Sequence, residues 1–233
     1  MVPIRPLLPV IALAALPAQA ASPAAPSPWP DTYLSRVEAT AVVQTLNAQL
    51  LAARSATATL EAWCGAHRLA PEPRLVARLV REIDRPASPE TRQRLQVGPD
   101  EPVHYRRVRL ACGEHVLSEA DNWYVPARLT PEMNRVLETT DTPFGRAVQE
   151  LKPTRQTVES RLLWQPLPEG WDQAAPAGGA CGPLPIPEAL FSHRAVLFTA
   201  ARQPFSEVVE TYARAVLDFP RAPRPADPAC LKP

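Results

Sequence analysis

Residues 105–126, YRRVRLACGEHVLSEADNWYVP, have the pattern of two strands joined by a tight turn. Residues 103–112 divide into two interleaved sets, with Arg107 and Arg109 in one and Val108 and Leu110 in the other, at the period of two that a pleated strand requires. Gly113 can adopt the positive φ of a short hairpin, and Pro126 ends the return strand because it has no N–H to donate. The stretch therefore predicts a hairpin in which arginines lie opposite Glu119, Asp121 and Asn122.

A second copy of this pattern lies near the C-terminus. The sequence Ser118-Glu119 is followed by Tyr124, and Ser206-Glu207 is followed at the same distance by Tyr212. An apolar run precedes each copy, at residues 108–111 and 195–199. The repeat predicts a duplicated hairpin within a pseudo-symmetric sheet.

Helical signals flank these strands. Residues 37–51 carry apolar side chains at three- and four-residue spacing, and both Ser55 and Thr130-Pro131 have the character of helix starts. The resulting order of elements predicts an α+β fold, an antiparallel sheet built from the duplicated hairpin with helices packed on one side. We expect this domain at residues 37–220, after a disordered linker at 21–36 and before a proline-rich tail at 221–233.

The first twenty residues have the features of a secretory signal. Arg5 precedes an apolar run at residues 7–16, and Ala18-Gln19-Ala20 fits the small-residue cleavage rule. The apolar run is too short for a membrane anchor. We therefore expect a periplasmic or secreted protein with no stable membrane anchor after cleavage.

Composition and motifs argue against several classes of function. Cleavage would leave 24 of the 25 basic side chains beside 24 acidic ones, whereas a nucleic-acid-binding protein carries a clustered basic surplus. The sequence has no P-loop, dinucleotide fingerprint, nucleophile elbow or zinc-ligand spacing. We therefore expect no nucleic-acid partner, no metal and no cofactor, and we expect a monomer.

Four cysteines, Cys64, Cys112, Cys181 and Cys230, suggest disulfides in an exported chain, with three possible connectivities. We favour Cys181–Cys230, because both lie in proline-rich loops with little else to hold them. Cys64–Cys112 would then join a helix end to the central hairpin.

Residues 107–114, RVRLACGE, and the strand end Val125-Pro126 resemble the central segment of chorismate lyases. The same architecture forms the UTRA effector-binding domain of GntR-type regulators. Residues 142–146, TPFGR, are similar to the Thr-Pro-Leu-Gly-Arg element of the lyases. The resemblance covers about residues 46–217 and implies a chorismate lyase-like, UTRA-like fold with an internal pocket for a small aromatic or carboxylate ligand.

The resemblance also implies the site. The catalytic arginine and glutamate of the family fall on Arg107 and Glu210, and Arg107 would also bind the ligand. Further ligand-binding positions fall on Phe144, on Asn122, where the lyases have a second arginine, and on Ala56, where they have methionine.

The chemistry of these residues leaves alternatives open. A guanidinium on an inward strand face needs an acidic partner, so Arg107 either pairs with Glu119 or Glu210 or clamps a ligand carboxylate. Glu210 is either a general acid or a satisfied carboxylate.

Two functions follow. One is an exported chorismate lyase-like enzyme, a carbon–oxygen lyase that eliminates pyruvate from chorismate to give 4-hydroxybenzoate. The other is a non-catalytic periplasmic module that kept the ligand pocket. Asn122 and the export signal favour the binding module, whereas Arg107 and Glu210 favour the lyase.

Cleavage after Ala20 is directly testable. We expect the intact mass of the exported protein to correspond to a chain that begins at Ala21. A mass that retains residues 1–20 would contradict export.

Overall fold

The computed structural model describes residues 29–173 and 179–221. Five helices are found there: α1 (Tyr33–Ala52), α2 (Ala56–Ala66), α3 (Pro89–Leu95), α4 (Pro131–Thr139) and α5 (Phe144–Ala147). Six strands are found there: β1 (Leu75–Val80), β2 (His104–Cys112), β3 (His115–Tyr124), β4 (Thr154–Leu162), β5 (Ala189–Phe198) and β6 (Pro204–Ala213).

The strands form one antiparallel sheet in the order β1-β2-β3-β6-β5-β4. Each half contributes three strands, and the halves meet where β3 pairs with β6. In this pairing Ser118 lies opposite Tyr212, and Tyr124 lies opposite Ser206. The two copies of the sequence repeat therefore pair with each other about a pseudo-twofold axis, as the duplication predicts.

The core lies between one face of the sheet and the helices. Alternation along β2 and β6 directs Val108, Leu110, Val208 and Tyr212 to this face, where they are buried. Leu46 and Leu50 of α1 and Leu60 and Trp63 of α2 belong to the same cluster. This arrangement confirms the predicted α+β class with an antiparallel sheet.

Helix α3 departs from the one-sided arrangement. Thr91 and Arg94 of α3 both hydrogen-bond to Glu207, which points away from the core face that Val208 and Glu210 share. The sequence of α3 is polar, and Leu95 is its one apolar side chain besides Pro89. Its start signal is local: the Ser88 side chain accepts from the Thr91 N–H, and Pro89 occupies the first turn.

The prediction of a disordered linker at residues 21–36 is wrong for residues 29–36. Trp29 is buried, and its indole Nε1 donates to the Leu217 carbonyl at 3.2 Å. The guanidinium carbon of Arg221 lies 3.7 Å from the centre of the Trp29 ring. Thr32 then caps α1. The predicted signal segment, residues 21–28 and residues 222–233 lie outside the described residues.

One predicted disulfide is confirmed: Cys64 of α2 is bonded to Cys112 of β2, with their Cα atoms 6.5 Å apart. Cys181 is also disulfide-bonded, and Cys230, its predicted partner, lies outside the described residues. Within residues 29–173 and 179–221, no helix combines the length and apolar character needed to cross a membrane.

Removing the Cys64–Cys112 bond should destabilise the fold. The bond closes a loop with a sequence separation of 48 residues. In the chain-entropy account, closure of such a loop contributes about 4 kcal/mol to the free energy of unfolding. Denaturant unfolding of the double variant Cys64→Ala/Cys112→Ala should show a loss of this order, and a loss below about 1 kcal/mol would contradict the assignment.

Candidate functional site

A cleft opens between the core face of the sheet and the start of α2, with α5 at its side. Its free space is about 630 Å³, counted with the open mouth. The apolar wall consists of Val108, Leu110, Ala120, Leu197 and Val208. The polar side chains Arg106, Asn122, Arg155 and Glu210 also line it. No group of three His, Cys, Asp or Glu side chains that could hold a metal ion is found in the described part of the chain.

Arg106 is a buried guanidinium in the wall of the cleft. Its Nε donates to the Leu137 carbonyl and its Nη2 to the Thr142 carbonyl, each at 3.1 Å. Among residues 29–173 and 179–221, no carboxylate lies within ion-pair distance of it. Burial lowers the pKa of Arg106 to about 10, and the positive charge of Arg81 acts in the same direction. Carbonyl dipoles thus hold the side chain, but its charge has no anionic partner.

Asn122 lies opposite Arg106 in the β2–β3 register and is also buried. Its Oδ1 accepts from the Ser206 hydroxyl at 2.7 Å. The Nδ2 group makes no hydrogen bond to a described residue, so the cleft receives two further donor hydrogens beside the Arg106 guanidinium.

Glu210 forms a buried ion pair at another part of the cleft. Its Oε2 accepts from Arg155 Nη2 at 2.5 Å and from the Tyr212 hydroxyl at 3.0 Å. Burial raises the pKa of Tyr212 well above its ordinary value, and the negative charge of Glu210 raises it further. Tyr212 therefore stays protonated and donates to Glu210. The positive charge of Arg155 is offset by Glu210, unlike that of Arg106.

His193 lies beside this ion pair in the core. Its Nε2 is 2.7 Å from Oδ1 of Asn47, whose Nδ2 donates to Gln44 at 3.0 Å. Because Oδ1 can only accept, the His193 proton is on Nε2, and the buried Nδ1 has no partner among the described residues. Burial, together with the nearby Arg155 charge, lowers the pKa of His193 to about 4. The imidazole is neutral at pH 7.

Four of the five predicted site residues line this cleft: Ala56, Asn122, Phe144 and Glu210. Arg107 does not, and its predicted place in the pocket is wrong. It points to the opposite face of the sheet, where Nη2 is 2.6 Å from Glu119 and Nη1 is 3.2 Å from Asp121. The structural alternative, pairing with Glu119, is the one observed.

Sequence reasoning missed Arg106 and Arg155. Arg106 shares the parity of the apolar residues Val108 and Leu110, so the alternation in β2 contained the signal for its inward direction. Arg155 had no such signal, because β4 alternates weakly and is largely exposed. Its burial depends on the partner Glu210, which comes from a strand distant in sequence.

Comparison with known proteins gives one family relationship. No family model matches the chain. The uncharacterized protein y4mC of Sinorhizobium fredii is 59% identical over 194 residues, covering 82% of each chain. The chain belongs to the y4mC family.

Two of the solved structures that are similar to this chain have low sequence identity to it. The effector domain of PhnF from Mycobacterium smegmatis aligns with a TM-score of 0.42 and 14% identity, covering 69% of this chain and 88% of that chain. The GntR-family transcriptional regulator from Enterococcus faecalis aligns with a TM-score of 0.39 and 13% identity, covering 63% and 99%.

The neutral, buried His193 should make stability pH-dependent. An unfolded histidine titrates near pH 6.5, whereas the folded pKa is about 4. Below pH 6.5 the unfolded state therefore binds a proton that the folded state does not. Stability should fall as the pH falls, by up to about 1.4 kcal/mol per pH unit between these two pKa values.

Denaturant unfolding of wild type and His193→Gln from pH 7 to pH 5 checks this. The variant should show the shallower slope, because this titration is removed. Equal slopes for wild type and His193→Gln would contradict the assignment.

Proposed function

We propose that this chain is a binding protein for a small organic carboxylate, held in the cleft with its anionic group at Arg106. The observation that carries the proposal is the buried Arg106 guanidinium, which has no carboxylate partner among the described residues. A buried charge is costly unless it is paired, and a guanidinium offers carboxylates a planar, bidentate fork. The unpaired Nδ2 of Asn122 supplies a second donor beside it.

The remainder of the cleft suits an apolar, flat ligand body. Three strands contribute apolar side chains to it: Val108, Leu197 and Val208. Phe144 stands at the side of the cleft, with its ring centre 5.7 Å from that of Tyr124 and 6.3 Å from that of Phe205. Aromatic rings favour edge and offset contacts at such distances, which supports an aromatic acid as ligand.

The surroundings of Glu210 favour binding over turnover. A general acid must reach the leaving group of the substrate, but Oε2 of Glu210 is already engaged by two donors of the protein, Arg155 and the Tyr212 hydroxyl. We therefore favour a non-catalytic binding module over a lyase. The lyase remains the second candidate, because Glu210 does line the cleft.

The proposal includes export. Two observations support it: the signal-like sequence of residues 1–20 and the Cys64–Cys112 disulfide, a bond typical of oxidising compartments.

Two adjacent arginines of β2 provide a matched test. Arg106 faces the cleft, and Arg107 faces the opposite side. With benzoate as the probe in titration calorimetry, Arg106→Gln should weaken binding about 10- to 100-fold, the loss of a charged hydrogen-bond partner. Arg107→Gln should leave the Kd within about twofold.

Further arms separate the alternatives. Arg106 also donates to two backbone carbonyls, so its substitution changes more than ligand binding. The variant Ala120→Leu fills the same cleft and keeps the Arg106 charge. It should abolish binding without unfolding the chain. Benzamide, a neutral isostere, should not compete with benzoate. Equal binding by wild type and Arg106→Gln would overturn the proposal, and pyruvate release from chorismate would establish the lyase instead.

A further inference from the structure

The two edges of the sheet differ, although the duplication relates them. At β1 the N–H of Leu75 donates to the Glu61 carboxylate at 2.9 Å, and the N–H of Ala77 donates to the Asp141 carbonyl at 2.7 Å. Backbone donors of this edge are thus satisfied by α2 and by the loop after α4. Strand β1 is closed to a further strand.

Strand β4 occupies the opposite edge and has no such cover within the described ranges. It pairs with β5 alone, and no other backbone group of residues 29–173 and 179–221 hydrogen-bonds to its main chain. An edge strand directs every second N–H and C=O away from the sheet, ready to pair with another strand. Three large apolar side chains are exposed along it or directly after it: Val158 by 46%, Leu162 by 39% and Leu163 by 50%.

The sequence of β4 is complementary to itself. If two antiparallel copies are centred on Ser160, Glu159 of each copy lies opposite Arg161 of the other. In the same register Val158 lies opposite Leu162, so both apolar side chains meet a counterpart. Opposite charges and apolar pairs directly across antiparallel strands each stabilise the pairing.

The charged side chains of β4 do not keep another strand away from this edge, because they carry both signs. Edge strands are blunted by charged side chains that repel an incoming copy. Glu159 and Arg161 have opposite signs and attract each other within the strand. A bulge between Thr157 and Glu159 bends β4, so the contact is confined to residues 158–162.

We infer that two copies of this chain pair through β4, in antiparallel register centred on Ser160, to give a continuous twelve-stranded sheet across the dimer. The ion pairs between Glu159 and Arg161 would lie on the outer face, where Glu159 already contacts Arg194 at 3.5 Å. The dimer replaces the monomer that we expected from the sequence. It is independent of the ligand proposal, because the β4 edge carries none of the residues that would hold the carboxylate.

A charge exchange tests the register. By sedimentation or light scattering, the full wild-type chain should have twice the mass of one chain, with dissociation on dilution. Glu159→Arg alone and Arg161→Glu alone should each be monomeric, because like charges then face each other at both contacts. An equimolar mixture of the two variants should form a heterodimer, because opposite charges face each other again.

Circular dichroism shows that each variant is folded, and Arg78→Glu on the closed β1 edge should remain dimeric as the control. A monomeric wild type would overturn the inference. So would a dimer that persists unchanged in both single variants, since it would then use another surface.

Discussion

The pairing of β3 with β6 is the constraint on which the rest of the molecule depends. It joins the two halves of the sheet, and its register sets matching residues of the two copies against each other, Ser118 opposite Tyr212 and Tyr124 opposite Ser206. A slip of one residue would move every inward side chain to the other face. The register is fixed because only one face of the sheet carries the apolar core. Tyr212 lies on that face, and the Glu119–Arg109 ion pair lies on the other face.

The site arises where the duplicated halves differ. Asn122 and Glu210 occupy equivalent positions on the paired central strands, and Arg106 and His193 lie opposite them on β2 and β5. One half therefore offers a cation, Arg106, without an anionic partner among the described residues, and an amide, Asn122. The other offers a neutral imidazole and a carboxylate that Arg155 already neutralises. The outer face keeps the symmetry instead, since the pair Arg107–Glu119 has its counterpart in Arg194–Glu207.

The sequence was informative wherever a local pattern determines structure. The hairpin repeat and the start of α2 at Ser55 followed from periodicity and capping. The Cys64–Cys112 pairing was predicted only as the remaining pair once Cys181 was assigned to Cys230. Helix α3 was missed although Ser88-Pro89 is a local start signal, because its polar sequence has no apolar stripe and its ion-pair partner Glu207 is distant in sequence. Arg107 was preferred to Arg106 because a family resemblance was weighed above strand parity. Trp29 was predicted to lie in a linker because the prolines around it show no periodicity. In the structure its indole hydrogen-bonds to the Leu217 carbonyl, 188 residues later in the sequence.

The contact of Trp29 with Arg221 places the entry and exit of the described fold side by side. Trp29 and Arg221, the first and the last residues that the structure describes, are therefore in contact. Proteins with adjacent ends tolerate circular permutation, because a short peptide can join the ends without distorting the fold. New ends could be cut in the exposed turn at Gly113, between two strands that stay paired. A short peptide that joins Arg221 to Trp29 would therefore close the described fold into a ring.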